Sequence, residues 1–212
     1  MKKSFILIIF LGFMTQVNAQ VGLGLVWAGD LYMRYVNPVE AGVDAKRSSG
    51  AAISSLSLGP KLWMGGNNFS FSLEAQANIA PLSFNVSEYK GMGAVAFPLM
   101  GKFNFGAASG FNEDRILGWS IGGGVQYNRT ELFGLTDKFD DIERSYFATY
   151  VGELAIQLGI AGFDAGFYIR MGFGENEARS FNIGYVLNFN FSQMSRMFKR
   201  AENDNNEREI SL

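Results

Sequence analysis

Eight charged residues occupy strand-like segments of this chain at positions where the flanking residues are mostly apolar. Four are acidic and four are basic: Asp30, Arg34, Lys61, Glu74, Lys102, Glu153, Asp164 and Arg170. Paired carboxylates can act as general acid and base, and rings of charge can line a channel or bind a ligand. The structural alternative is that opposite charges pair in a narrow space and cross-link neighbouring strands.

The composition excludes most catalytic chemistry. The chain has no histidine and no cysteine among its 212 residues. Their absence excludes Ser-His-Asp catalysis, thiolate nucleophiles, disulfides, Fe–S clusters and nearly every zinc or haem site. A hydrolase built on carboxylates alone has no further support, so we expect no enzyme, no cofactor and no metal. The formal net charge of −2 gives no reason to expect a nucleic-acid partner.

Apolar residues recur at every second position, which is the period of a β-strand. In residues 181–191, all six odd positions are apolar, and Val186 is the one apolar residue at the five even positions. The alternation marks eight segments, strongly at 69–79, 117–127, 163–173 and 181–191 and more weakly at 21–35, 52–64, 95–105 and 146–158. The pattern therefore predicts an all-β chain of eight strands.

Residues 1–19 have the three-part pattern of a secretory signal peptide. Lys2 and Lys3 precede the apolar run 5–13, and Val17 and Ala19 occupy the −3 and −1 positions of a cleavage site. We expect cleavage after Ala19. Nine apolar residues span only about 14 Å as a helix, too short for a hydrocarbon core of about 30 Å, so a membrane anchor is disfavoured.

Export and an even number of alternating strands together predict a transmembrane barrel. The polar strand faces carry mainly Gly, Ser, Asn and Gln, whereas a β-sandwich in water exposes a mostly charged face. A lipocalin-like barrel would have to enclose the many Phe side chains, for which eight strands leave too little room. We therefore predict an eight-stranded antiparallel transmembrane β-barrel, a meander, over residues 20–192, with apolar side chains toward lipid.

Seven Trp and Tyr residues are candidates for the interfacial girdles of such a barrel. Trp63 is the doubtful member, because its position in the alternation places it on the inward face. The candidates are Trp27, Tyr35, Trp63, Trp119, Tyr127, Tyr146 and Tyr185.

In this barrel the eight charges face inward. Two-residue turns in the two tightest connections would make Lys61 a diagonal neighbour of Glu74, and Glu153 a diagonal neighbour of Arg170. Because barrels of this size are usually filled by their own side chains, we favour a salt-bridged lumen over a channel lining or a binding site. All three interpretations stay open at this point.

Residues 193–212 change character, since eight of these twenty residues are charged. Met194, Met197 and Phe198 fall on one face of a short amphipathic helix, followed by a polar tail. Both termini of an even-stranded barrel lie on one side, which export makes periplasmic. The apolar face then either docks on a partner protein or rests on the membrane or the barrel rim.

The signal peptide, the eight alternating strands and a closing strand ending in Tyr185, Leu187, Phe189 and Phe191 resemble the small eight-stranded outer-membrane barrels of the OmpA/OmpX-like class. The resemblance implies the outer membrane, the barrel-insertion machinery, contact with lipid including lipopolysaccharide, and no active site. We expect a structural or accessory subunit that docks to other envelope proteins, within an assembly or secretion complex. A narrow channel or small-ligand carrier is the alternative, and an adhesin is disfavoured by the short loops.

Overall fold

The computed structural model describes residues 20–39, 49–85, 91–111, 115–134, 145–160 and 163–199. These residues include one helix over 191–199 (α1) and single turns of 3-10 helix at Ala107–Ser109 and Glu175–Glu177. The predicted signal peptide, 1–19, and the tail beyond 199 lie outside the described residues. Ten strands lie within them: β1 Gln20–Val36, β2 Ser49–Ala52, β3 Leu56–Gly65, β4 Phe69–Ala75, β5 Ala77–Asn85, β6 Gly91–Gly106, β7 Leu117–Gly134, β8 Phe147–Ile160, β9 Phe163–Phe173 and β10 Arg179–Asn190.

All strand pairings are antiparallel and close into a barrel in the order β1-β10-β9-β8-β7-β6-β4-β3-β5-β2. The predicted all-β antiparallel fold is therefore confirmed. The predicted count of eight strands is corrected to ten, because two strands are interrupted, at residues 53–55 and at Gln76. As a result β2 and β3 lie end to end along β1, and β4 and β5 lie end to end along β6. Among the described residues, no helix has the length and hydropathy needed to cross a bilayer.

A β-bulge in β1 changes which residues face the interior. The register of β1 against β10 shifts between Asp30 and Tyr32, and the extra residue, Leu31, is exposed like Tyr32. A bulge inserts one residue and so reverses the facing of the residues after it. Met33 is therefore buried inside and Arg34 is exposed on the outer face. The prediction that Arg34 faces inward, which assumed an unbroken period of two, is wrong.

The same bulge affects the predicted aromatic girdle. Tyr35 follows the bulge and is completely buried in the interior, so its assignment to the girdle is wrong. Trp63 is also completely buried, on the inward face where the alternation placed it. Trp27, Trp119, Tyr127 and Tyr146 are exposed.

The barrel has a polar interior and an apolar outer surface. Leu73 is 45% exposed while the adjacent Glu74 is 2% exposed, and Leu154 is 58% exposed while the adjacent Glu153 is 4% exposed. Most of the other polar side chains in the interior are Ser, Thr, Asn and Gln. This is the reverse of a protein in water, where charged side chains are almost never buried.

The register of two hairpins differs from the prediction by two residues. Lys61 lies directly opposite Glu74, and Glu153 lies directly opposite Arg170, rather than diagonally. The turn between β3 and β4 therefore falls one residue later in the chain than predicted, at Asn67 and Asn68. A shift of two residues leaves every side chain on its predicted face, because the side-chain period of a strand is also two.

Candidate functional site

Five charged side chains, each from a different strand, form a continuous series of ion pairs inside the barrel. Lys61 Nζ lies 3.3 Å from Glu74 Oε2, and Lys102 Nζ lies 2.5 Å from Glu74 Oε1. Lys102 also pairs with Glu153 Oε1, and Glu153 Oε2 lies 2.7 Å from Arg170 Nη2. We call these five residues the charge network.

Neutral side chains extend the charge network around the barrel wall. Lys61 Nζ donates to Asn188 Oδ1 at 3.0 Å, and Asn188 Nδ2 donates to Asp164 Oδ1 at 2.6 Å. At the other end, Arg170 Nη1 donates to Gln126 Oε1 at 3.2 Å. Because all the ionised groups are buried, each depends on these partners to compensate for the water it has lost.

A glycine provides the space in which the charge network crosses β7. Gly122 lies opposite Lys102 on one side and opposite Glu153 on the other. A Cβ atom at this position would lie 2.5 Å from Lys102 Cγ and 2.5 Å from the carbonyl oxygen of Gly101. Glycine therefore lets two side chains on strands that are not neighbours meet across the strand between them.

Asp30 lies apart from the charge network and is bound by neutral donors. Tyr168 Oη donates to Asp30 Oδ1 at 2.6 Å, while Ser55 Oγ and Asn78 Nδ2 donate to Oδ2 at 2.5 Å and 2.8 Å. Ser55 reaches Asp30 at the break between β2 and β3, where Ser54 has a φ of 118° and the Ser55 N–H donates to the Asp30 carbonyl at 3.2 Å. We call Asp30, Ser55, Asn78 and Tyr168 the Asp30 cluster.

The turn after β6 folds into the end of the barrel where β1 begins and β10 ends. We call residues 107–111 the plug, and all five are buried. Ser109 Oγ donates to the Asn67 carbonyl at 2.7 Å, and Ser70 Oγ donates to the Ser109 carbonyl at 2.8 Å. Asn190 Nδ2 donates to the carbonyl of Gly110 at 2.7 Å. The run of small residues from Gly106 to Gly110 was the available sequence signal for such a compact turn.

Helix α1 lies against the same end of the barrel. Arg196 Nη1 donates to Gln20 Oε1 at the start of β1, at 2.6 Å. The three predicted docking residues differ in exposure, since Met194 and Met197 are half-buried and Phe198 is 71% exposed. Phe198 is thus the member of the apolar face that the barrel leaves uncovered.

The predicted site residues therefore separate into four groups. Five form the charge network, Asp164 joins it through Asn188, Asp30 has its own cluster and Arg34 lies on the outer surface. Sequence reasoning missed the neutral partners, although Asn188 and Gln126 occupy inward positions of the alternation. Within the described residues, no group of three or more acidic side chains is placed to bind a metal ion.

No protein-family model and no curated protein matches the chain. Among solved structures, Ail of Yersinia pestis in complex with the heparin analogue sucrose octasulfate is similar, with a TM-score of 0.49, 9% identity, and coverage of 81% of this chain and 99% of that one. Neisserial surface protein A gives a TM-score of 0.49 and 10% identity, covering 82% and 99%. The N-terminal barrel of Pseudomonas aeruginosa OprF gives 0.42 and 10%, covering 78% and 99%.

All three solved structures are small outer-membrane β-barrels, the class that the sequence resembles.

Proposed function

We propose that this chain is a closed outer-membrane β-barrel that serves as a structural or accessory subunit and catalyses no reaction. The inverted distribution of polarity carries the proposal. Large apolar side chains such as Leu154 and Phe167 are 58% and 65% exposed on the outer face, while the charges lie inside. A continuous apolar surface of this kind favours hydrocarbon over water, as in the outward band of a membrane barrel.

The strand count supports the orientation of this barrel in the membrane. Counted as crossings of the wall, the ten strands make eight, because β2 with β3 and β4 with β5 each act as one broken strand. An even number of crossings places both termini at one end, and export through a signal peptide makes that end periplasmic. The ends of β1, β5, β7 and β9 at Val36, Asn85, Gly134 and Phe173 then lie at the outer surface.

The contents of the lumen favour a closed barrel over a channel. The plug lies at the terminal end of the lumen, and the charge network and the Asp30 cluster lie between it and the loop end. An ion moving along the axis would have to separate Glu153 from Lys102 and Arg170, or Glu74 from Lys61 and Lys102. Leaving a buried ion without its partner costs about 3–5 kcal/mol.

Fractionation and gel migration test the proposed location and fold together. The protein is expected in the outer-membrane fraction, with a mature chain that begins at Gln20 by mass spectrometry. It is also expected to migrate differently before and after boiling, since a closed barrel has no free edge and resists detergent. Unchanged migration together with a helical circular dichroism spectrum would refute the barrel.

The accessory role is proposed to depend on α1, where Phe198 is uncovered. Phe198→Asp is expected to abolish copurification with envelope partners in mild detergent, while the barrel still inserts and stays heat-modifiable. Ser195→Asp is the matched control, because it adds the same charge at an exposed position of the same helix. Retention of the partners by Phe198→Asp would overturn docking through α1.

A further inference from the structure

Two arginines line a cavity of 410 Å³ at the loop end of β1 and β10. Arg34 lies opposite Phe181 and Arg179 lies opposite Val36, so the two arginines are diagonal neighbours on the outer face. Both are exposed, and neither has an ion-pair or hydrogen-bond partner in the part of the chain that the structure describes. Diagonal neighbours on antiparallel strands are within reach of one another when their side chains are long.

The β1 bulge is what builds this arginine pair. With an unbroken alternation, Arg34 would point into the lumen together with Asp30, and Arg179 would have no second cation beside it. The extra residue turns Arg34 outward instead. Bulges of this kind re-aim side chains and are built features of a sheet rather than defects.

An apolar groove of 890 Å³ begins next to the arginine cavity on the outer face of β8, β9 and β10. Phe181 lines the cavity, and the next outward residues of β10, Ile183, Tyr185 and Leu187, line the groove. Ile183 lies four residues below Arg179, a distance of about 13 Å along a strand. In a strand tilted by about 40° this is about 10 Å of membrane depth, so the groove begins within the outer leaflet, which is half of a hydrocarbon core of about 30 Å.

We propose that Arg34 and Arg179 bind a phosphate of lipopolysaccharide whose acyl chain lies in this groove. The proposal rests on the proposed membrane orientation, which places the loop end in the outer leaflet. Guanidinium groups recognise phosphate through paired, charge-assisted hydrogen bonds. Glu177 also lines the cavity with one negative charge, so the two arginines leave an excess of one positive charge that an anion balances.

Native mass spectrometry of the detergent-purified full chain, titrated with diphosphoryl lipid A, tests the site. The wild type is expected to retain one lipid A molecule, and Arg34→Ala/Arg179→Ala is expected to weaken retention about tenfold or more. Arg115→Ala is the matched control, an exposed arginine at the opposite end of the barrel, and is expected to stay within about twofold of the wild type. Equal losses in both variants, or none in the double variant, would overturn the site.

Three further measurements identify the ligand and separate a loss of binding from a loss of folding. Arg34→Lys/Arg179→Lys keeps both positive charges but loses the planar guanidinium groups. Its retention of lipid A is therefore expected to lie between those of the wild type and the double Ala variant. Ile183→Trp fills the groove without changing charge and is expected to weaken retention; unchanged retention would overturn the acyl-chain part. Equal retention of phosphatidylglycerol, or displacement by inorganic phosphate, would overturn the assignment to lipopolysaccharide.

Gel migration separates this inference from the proposed function. A wild-type barrel that reaches the outer membrane and is heat-modifiable but retains no lipid A would overturn the lipid site alone. A wild-type chain that never reaches the outer membrane would overturn the proposed function on which the site rests.

Discussion

The charge network and the Asp30 cluster bury carboxylates in the same lumen by different means. Glu74 and Glu153 each contact two cations, whereas Asp30 accepts hydrogen bonds from three neutral side chains. The network lies where the strands are regular, so that register, together with the space at Gly122, brings opposite charges together. The cluster lies at a bulge and a strand break, where a short hydroxyl side chain and the backbone approach the carboxylate. Regular walls therefore favour ion pairs, and irregular walls favour neutral donors.

The largest effect is expected from neutralising a carboxylate of the network. Glu153→Gln leaves Lys102 and Arg170 buried beside a neutral amide, and is expected to lower the free energy of unfolding by about 3–5 kcal/mol. Urea titration of the refolded barrel in detergent micelles, followed by gel migration, measures this. Glu175→Gln is the control at an exposed position in the loop after β9 and is expected to change stability by less than about 0.5 kcal/mol. Similar losses of stability in both variants would contradict a stabilising role for the charge network.

A smaller loss of stability is expected when the space at Gly122 in β7 is filled. Gly122→Ala places a methyl group against Lys102 and the backbone of β6, and is expected to cost about 1–3 kcal/mol through overpacking. Gly152→Ala is the matched control, because a Cβ there meets nothing within 4 Å. If both variants are equally stable in urea, the space at Gly122 is not needed by the network.

The smallest of the three effects is expected at Asp30. Asp30→Asn keeps the shape and one acceptor oxygen, but leaves one or two buried donors without a partner, at a cost of about 1–2 kcal/mol. No cation is left unpaired in this variant, unlike in Glu153→Gln. Unfolding of the two variants in urea under the same conditions ranks them, and the opposite order would show that the two regions do not differ as described.

The sequence predicted the faces of the barrel well, because a face depends only on whether a position is odd or even. Lys61, Glu74, Glu153 and Arg170 all lie inside despite a register error of two residues. Arg34 was misplaced by a single inserted residue. A signal was present, because Leu31, Tyr32 and Met33 are three successive apolar residues that interrupt the alternation.

Other parts of the interior had no usable signal in the sequence. Ser55 belongs to the Asp30 cluster because β2 and β3 are broken opposite the bulge, which depends on the pairing of three strands. For the plug, the small residues from Gly106 to Gly110 indicate a compact turn, but its inward folding depends on the space that the surrounding strands leave. Alternation can assign a face to each residue, but it cannot show which residues on that face come into contact.

Planar bilayer recording tests the central claim, a closed barrel, most directly. The protein is purified in its heat-modifiable form and inserted into a bilayer at a range of voltages. Because the plug and the charge network close the lumen, we expect no steady conductance from the wild type. A stable, well-resolved channel in the unmodified protein would contradict the closed barrel and favour a transport function.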